Sequence, residues 1–277
     1  MTTPLITAEE LRTRIGRDAP IILDVRWRLD APDGRDAYLA GHIPGAHYVS
    51  LDDELAAHGA PTDGRHPLPS AEAFAEAVHR WGIDDGDEVI VYDDWLTFGA
   101  ARAWWMLADA GIRARVLDGG LAAWRSVGGA LETGDTPRPE PGRARLEPGQ
   151  MRQLSMDEAA ALPQHGLLFD VRAPERYRGD VEPMDPRAGH IPGAGNAPTT
   201  QNATTDGRFL APDLLRERFE ALGVSEEVPL GVYCGSGVSA AHAALALTLA
   251  GFTPALYAGS WSQWSNHPDR PVAVGGE

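Results

Sequence analysis

The residue with the clearest chemical potential in this chain is Cys234, the only cysteine among 277 residues. An apolar run at residues 229–233 predicts a buried strand before it, and the Ala- and Leu-rich residues 239–250 predict a helix after it. Cys234 is therefore expected on a tight turn at a helix N-terminus, where unpaired N–H groups and the helix dipole stabilise negative charge. Such a setting favours the thiolate form of a cysteine, which is the nucleophilic form.

The residues that follow Cys234 predict an anion-binding loop. Glycines at this turn allow backbone conformations that direct several N–H groups inward. The loop residues expected to hold the substrate through these N–H groups are Gly235, Gly237, Val238 and Ser239. Cysteine phosphatases also use a cysteine on an amide-lined loop, but their chemistry needs an arginine six residues later, where this chain has Ala240. The phosphatase interpretation is therefore nearly excluded.

Composition excludes several other classes of function. The net charge of −16 argues against nucleic acid and anionic membranes as partners. A single cysteine excludes an internal disulfide and a cysteine-based zinc cluster, and it fits a reducing compartment. We see no secretory signal and no apolar run near the 18 or so residues that a membrane span needs, so the cytoplasm is the expected location. No metal and no organic cofactor is expected.

The elements that must position Cys234 occur twice in the chain. Asp-Val-Arg ends a predicted strand at residues 24–26 and again at 170–172, and Gly-His-Ile-Pro-Gly-Ala occupies residues 41–46 and again 189–194. Val-Tyr precedes Asp93 in the first copy and Cys234 in the second. These repeats predict two tandem domains at residues 1–133 and 150–277, joined by a Pro-, Gly- and Arg-rich linker at 134–149. Short strands alternate with helices in each copy, which predicts an α/β fold with a mostly parallel sheet and helices on both faces.

These paired motifs, the cysteine loop of the second copy and Gly-Ser-Trp at residues 259–261 resemble the tandem-domain rhodanese-like sulfurtransferases over nearly the whole chain. The resemblance implies two rhodanese-like domains, of which the second is catalytic. The first copy has Asp93 at the cysteine position and therefore lacks the nucleophile. The histidines of the repeated turns, His42 and His190, occur in both copies, which favours a structural role over catalysis.

The resemblance also implies roles for individual residues. Cys234 would carry the persulfide, and Ser236 matches the hydroxyl of a Cys-Ser-Asp relay, although a plain turn residue is an equally good interpretation. Asp52 matches the relay aspartate, with Asp53 as its neighbour and competitor, and His66 matches a histidine that faces the substrate. Two arginines, Arg176 and Arg187, match substrate-binding residues of the family. Arginine suits this role because it binds carboxylates in a bidentate manner.

The sulfur donor is expected to be 3-mercaptopyruvate. Cys-Gly-Ser-Gly-Val followed by Thr is typical of 3-mercaptopyruvate sulfurtransferases, and this chain has Ser239 in place of the Thr. Thiosulfate enzymes usually carry basic residues after the cysteine, whereas Gly235 and Ser236 are uncharged. The family implies an external acceptor, such as thioredoxin, a small thiol or cyanide. Thiosulfate sulfurtransfer is the second hypothesis, and a non-catalytic sulfur-relay or interaction module is the third.

Overall fold

The computed structural model describes residues 3–17 and 20–276. Within these residues the chain divides into two compact units. The first contains the residues up to 57, residues 69–151 and residues 204–209, and the second contains residues 58–68, 152–203 and 210 onward. Residues 134–149, predicted as the linker, are part of the first unit, where the N–H groups of Arg143 and Arg145 donate to Asp84 and Asp85 at 2.8 Å and 2.7 Å.

The first unit alternates strands with helices. Its elements in chain order are β1 (Leu5–Ile6), α1 (Ala8–Arg14), β2 (Ile21–Asp24), α2 (Arg35–Ala40), β3 (His47–Tyr48), α3 (Leu51–Glu54), α4 (Ala71–Arg80), β4 (Glu88–Tyr92), α5 (Phe98–Asp109), β5 (Arg113–Leu117) and α6 (Gly120–Ser126).

The second unit repeats this alternation. Its elements are β6 (Arg152–Gln153), α7 (Met156–Ala161), β7 (Leu167–Asp170), α8 (Pro174–Arg178), β8 (Gly195–Asn196), α9 (Pro212–Ala221), β9 (Leu230–Tyr233), α10 (Val238–Leu249), β10 (Ala255–Leu256) and α11 (Ser260–Ser265). Short 3₁₀ turns lie at Pro61–Asp63, Leu162–Gln164 and Thr199–Asn202.

Both sheets are parallel and have the same strand order. Across the described residues, the five strands of the first unit run β1-β5-β4-β2-β3, and those of the second run β6-β10-β9-β7-β8. The predicted α/β class and parallel sheets are therefore confirmed. In the first sheet, β2 is followed by β3 on one side and β4 is followed by β5 on the other side, so the direction of strand addition switches between β2 and β4. In the second sheet, the same switch lies between β7 and β9. Ligands of open parallel sheets bind beyond the carboxyl ends of the strands at such a switch point.

Local sequence explains where several helices begin. The side chains of Thr7, Ser70 and Ser155 each accept the N–H of the residue three positions on, which caps α1, α4 and α7. Ser155 also forms a capping box with Glu158. Helix α10 is different, because its Ala and Leu side chains are buried on nearly every side, as expected for a helix inside the core.

Each unit has its own hydrophobic core. The first includes Ile6, Leu11, Ile22, Ile90 and Trp124. The second includes Leu168, Ile191, Tyr233, Tyr257 and Trp261. No helix in the described part of the chain is long and apolar enough to cross a membrane. Residues 3–17 and 20–276 also contain no group of three or more His, Cys, Asp or Glu placed to hold a metal ion.

Candidate active site

Cys234 lies directly after β9, at the switch point of the second sheet. Its neighbour Tyr233 is the last residue of the strand, and Val238 begins α10 four residues later. The strand–turn–helix setting predicted for the cysteine is confirmed. The cysteine is 2% exposed, so its sulfur belongs to a largely buried loop.

The loop directs a backbone N–H group to the sulfur. The Gly237 N–H donates to Cys234 Sγ at 3.1 Å, and such a hydrogen bond stabilises negative charge on sulfur. Gly237 caps α10 with φ of +81°, and a Cβ there would lie 2.3 Å from the Ala258 carbonyl oxygen, so only glycine fits. Val238 and Ser239 occupy the first turn of the 12-residue helix α10, where backbone N–H groups have no intrahelical acceptor.

Ser260 holds the cysteine backbone and was missed as a site residue in the sequence analysis. Its fully buried Oγ accepts the Cys234 N–H at 3.1 Å and donates to the Tyr257 carbonyl at 2.9 Å. Ser260 has φ of +54°, a left-handed conformation that costs about 1–3 kcal/mol for a residue with a side chain and that clusters at functional sites. The matching residue of the first copy is Gly120, with φ of +55°. The sequence did contain a signal for Ser260, because the matching position of the first copy is a glycine, the residue that adopts positive φ most easily.

Ser236 and His66 form a hydrogen-bonded pair beside the cysteine. His66 Nδ1 lies 2.8 Å from Ser236 Oγ, and the two residues are 8% and 7% exposed. Both belong to the second unit, because residues 58–68 cluster with it. A buried hydroxyl bonded to an imidazole can pass a proton between a bound group and the imidazole.

Asp52 lies in the first unit, and its predicted place in the relay stays a prediction. Its Oδ1 accepts the Trp27 Nε1–H at 3.1 Å. The neighbouring Asp53 takes part in the N-cap of α3, because its N–H donates to Ser50 Oγ at 3.3 Å and its Oδ2 accepts the Ser50 hydroxyl at 2.8 Å.

Arg176 lies beside the cysteine loop together with a second arginine, Arg65, and its substrate-binding role stays a prediction. A Cβ placed on Gly235 would be 3.4 Å from Arg176 Nη1 and 3.5 Å from Arg65 Nη2. Both guanidinium groups are therefore within van der Waals range of the residue that follows Cys234. Asp185 and Glu182, both almost fully buried, pair with these arginines.

The Arg187 guanidinium donates to backbone carbonyls near the end of α11. Its Nε donates to the Ser265 carbonyl at 2.9 Å, and its two terminal nitrogens donate to three further carbonyls at 2.6–2.8 Å, those of Trp264, His267 and Arg270. These carbonyls lie at and beyond the end of α11, where backbone acceptors lack intrahelical partners. The guanidinium thus caps this segment, and the substrate-binding role of Arg187 stays a prediction.

The corresponding loop of the first unit shows what such a loop binds. The Asp93 carboxylate, at the cysteine position, accepts the N–H groups of Trp95 and Thr97 at 3.0 Å and of Ala100 at 3.1 Å. Complete burial raises the pKa of Asp93 from 3.8 to about 7, against the opposing effect of these hydrogen bonds. The loop of the first copy therefore surrounds a carboxylate of its own with backbone donors.

The repeated histidines make the same packing contacts in both units. The His42 ring stacks on Tyr38 with centroids 4.0 Å apart, and the His190 ring stacks on Tyr177 at 3.8 Å. Nδ1 of each histidine lies 2.9 Å and 2.8 Å, respectively, from the backbone carbonyl of the same tyrosine. The identical arrangement in both units supports the structural interpretation of the repeated turn.

Comparison with known proteins identifies what this chain is similar to. The family model described as the rhodanese-like domain matches residues 7–127 and 150–267. A putative thiosulfate sulfurtransferase SseB of Mycobacterium tuberculosis is 50% identical over 98% of this chain and 97% of its own length. A probable 3-mercaptopyruvate sulfurtransferase of Pseudomonas aeruginosa is 47% identical over 98% of each chain. Among solved structures, the 3-mercaptopyruvate sulfotransferase SseA of Escherichia coli superposes with a TM-score of 0.82 and 34% identity, covering 94% of this chain and 99% of that chain.

Proposed function

The chain belongs to the rhodanese-like family of sulfurtransferases, and from this premise we propose that it transfers sulfur from 3-mercaptopyruvate through a persulfide on Cys234. The observation that carries the proposal is the Gly237 N–H, which donates to the cysteine sulfur at 3.1 Å on a loop at the start of α10. This geometry stabilises the thiolate that attacks the donor and the persulfide anion that results. Residues 150–277 form the catalytic domain in this proposal, and residues 1–133 form a domain without a nucleophile.

The reaction balances without a cofactor. The Cys234 thiolate attacks the sulfur of the donor thiol, an S–S bond forms, and the C–S bond breaks with its electron pair passing to carbon. Carbon is reduced and the transferred sulfur is oxidised to the sulfane level. The proton of the donor thiol ends on that carbon, which yields pyruvate and a persulfide anion. A thiol or cyanide then attacks the outer sulfur and releases Cys234 as a thiolate.

This balance gives the Ser236–His66 pair a role. The thiol proton must leave sulfur and reach carbon, and a hydroxyl hydrogen-bonded to an imidazole at 2.8 Å can accept it and return it. Asp52 remains a candidate third member of this relay. Arg176 binds the donor carboxylate, because its guanidinium lies beside Gly235, the residue after the nucleophile.

Thiosulfate is the second candidate donor, and the uncharged loop sequence does not exclude it. The sequence analysis used the uncharged pair Gly235 and Ser236 as evidence against a dianionic donor. Arg65 and Arg176 nevertheless place two cations beside Gly235, so an uncharged loop does not mean an uncharged site. A relative at 50% identity is also named a putative thiosulfate sulfurtransferase. Charge on the loop itself therefore does not decide the donor.

The remaining parts of the proposal concern the acceptor and the compartment. A chain with one cysteine has no resolving thiol of its own, so the persulfide passes to an external thiol, for which thioredoxin is the family's example. A free catalytic thiol works best where thiols stay reduced, and we place the enzyme in the cytoplasm on this ground.

The deciding experiment compares the two donors on the purified chain. We expect kcat/KM to be higher for 3-mercaptopyruvate, with pyruvate formed as the product, than for thiosulfate, with sulfite formed. A higher value for thiosulfate would replace the first candidate with the second. If neither donor yields product with cyanide, a small thiol or thioredoxin as acceptor, the sulfurtransferase proposal fails for this chain.

A further inference from the structure

Two arginines from distant parts of the sequence meet at the cysteine loop. A Cβ placed on Gly235 would lie 3.5 Å from Arg65 Nη2 and 3.4 Å from Arg176 Nη1, within van der Waals contact of both. Their side chains are 23% and 18% exposed, so neither arginine is fully enclosed by the protein. A Cβ at position 235 would be in ordinary van der Waals contact with both guanidinium groups.

One buried carboxylate holds both arginines in place. Asp185 is 2% exposed in its side chain, and its Oδ1 accepts Arg65 Nη1 at 2.8 Å. Its Oδ2 accepts Arg176 Nη2 at 3.4 Å, and Glu182 Oε1 accepts the same nitrogen at 2.7 Å. A shared counter-ion fixes the orientation of both guanidinium groups, which reduces the entropy lost when an anion binds between them.

The arginines retain hydrogen-bonding capacity after these contacts. The Nε atoms of Arg65 and Arg176 are buried and have no acceptor among the described residues. Buried donors without partners are rare in proteins and call for an explanation such as a catalytic role or a bound water or ion. Here two such donors belong to the two side chains that flank the residue next to Cys234.

The charges of the surrounding cluster nearly cancel. Arg172 pairs with Glu182 at 3.0 Å and with Asp170 at 2.6 Å. Three cations, Arg65, Arg172 and Arg176, thus face three carboxylates, Asp170, Glu182 and Asp185. A monoanionic donor therefore brings the cluster to a net charge of about −1 and a dianion to about −2, so each negative charge added to the donor is opposed by the buried carboxylates.

We propose that Arg65 is the second donor-binding cation, in the place that the resemblance gave to Arg187, and that Asp185 sets the donor charge that the site accepts. The inference rests on the proposed function and deepens it. Arg65 and Arg176 bind the carboxylate and carbonyl oxygens of the 2-oxo acid. Asp185 positions both arginines and disfavours the dianion thiosulfate.

The test compares Arg65→Gln and Asp185→Asn with a matched control, Arg178→Gln, whose arginine pairs with the exposed Asp180. Arg65→Gln is expected to lower kcat/KM for 3-mercaptopyruvate by about ten- to a hundredfold, mainly through KM, because a charge-assisted hydrogen bond to the donor is lost. Arg65→Lys, which keeps the charge but not the fork, should restore part of this loss. The control should match the wild type.

Asp185→Asn tests whether Asp185 affects donor preference, which a purely structural residue would leave unchanged. It keeps the side-chain shape and one acceptor oxygen, replaces the other oxygen with an NH2 group, and removes one negative charge. The preference for thiosulfate over 3-mercaptopyruvate is expected to rise about tenfold, because the removed charge repelled the dianion twice as strongly as the monoanion. Equal losses for both donors would show that Asp185 only maintains structure and would overturn its assignment.

A binding measurement separates this inference from the proposed function. Ligand-detected NMR titration with pyruvate requires no turnover. Weaker pyruvate binding by Arg65→Gln than by the wild type and Arg178→Gln supports the inference even if the enzyme's true donor differs. Unchanged pyruvate binding together with unchanged KM would overturn the role of Arg65 while leaving the persulfide chemistry of Cys234 intact.

Discussion

Replacement of Asp93 by asparagine tests whether the first unit buries a carboxyl group in the loop that corresponds to the cysteine loop. Burial raises the pKa of Asp93 from 3.8 to about 7 in the folded protein. The folded state thus favours the neutral acid, and the contribution of this group to stability is greatest below the unfolded-state pKa. It is lost progressively as the pH rises from about 4 to about 7.

The magnitude follows from the two pKa values. A shift from 3.8 to about 7 corresponds to about 4 kcal/mol over the full range, of which about 2.5 kcal/mol falls between pH 5 and pH 8. The substituted amide cannot ionise, so Asp93→Asn should gain about 2.5 kcal/mol relative to the wild type over that interval. Any constant cost of the amide cancels in this difference, as do other buried acids such as Asp24 and Asp118, which are present in both proteins.

Hydrogen exchange followed by mass spectrometry measures this difference in the unit concerned. The free energy of opening is compared at pH 5 and pH 8 for amides of β4, the strand that leads into Asp93. Amides of β9 in the second unit are the internal control and should show no such difference between the two proteins. A β4 difference that does not change with pH would refute the burial of an ionisable group in this loop.

Three substitutions test the cysteine loop itself. Ser236→Ala should lower kcat for 3-mercaptopyruvate by about a hundredfold, because His66 loses the hydroxyl that carries the thiol proton. Single-turnover pyruvate release measures this rate, and an unchanged rate would exclude the relay. Ser260→Gly should lower kcat about tenfold while stability changes by less than about 1 kcal/mol, since relief of the positive φ offsets the lost hydrogen bonds. Urea unfolding checks this balance, and unaltered kcat would show that the serine has no part in positioning. Gly237→Ala should destabilise the protein by about 2 kcal/mol or more, because its Cβ would lie 2.3 Å from the Ala258 carbonyl oxygen. An unchanged thermal midpoint would contradict the close approach.

The fold was predictable because its signals are local and occur twice. The strand–turn–helix around Cys234 could be predicted from an apolar run, two glycines and an Ala-rich segment. Strands of only two residues, such as β3 and β8, were not predicted, because two residues carry no periodic pattern. Their pairing is determined by the neighbouring strands β2 and β7.

The arginines show where prediction of the site stopped. Arg65 was overlooked because its partner Asp185 is 120 residues away, and nothing in the local sequence indicates that contact. Arg187 was assigned to the substrate because it matches a substrate-binding arginine of the family that the sequence resembles. Its actual partners are backbone carbonyls, which every residue possesses and which leave no trace in sequence. Local motifs therefore located the nucleophile, while long-range ion pairs decided which arginines accompany it.

The central claim is that Cys234 carries the transferred sulfur, and intact-protein mass spectrometry tests it most directly. The wild type is reduced, incubated with 3-mercaptopyruvate without acceptor, and compared with Cys234→Ser. We expect the wild type to gain the mass of one sulfur atom, cyanide to remove this mass as thiocyanate, and the variant to gain nothing. An equal gain in the variant, or pyruvate turnover that continues without Cys234, would contradict the account.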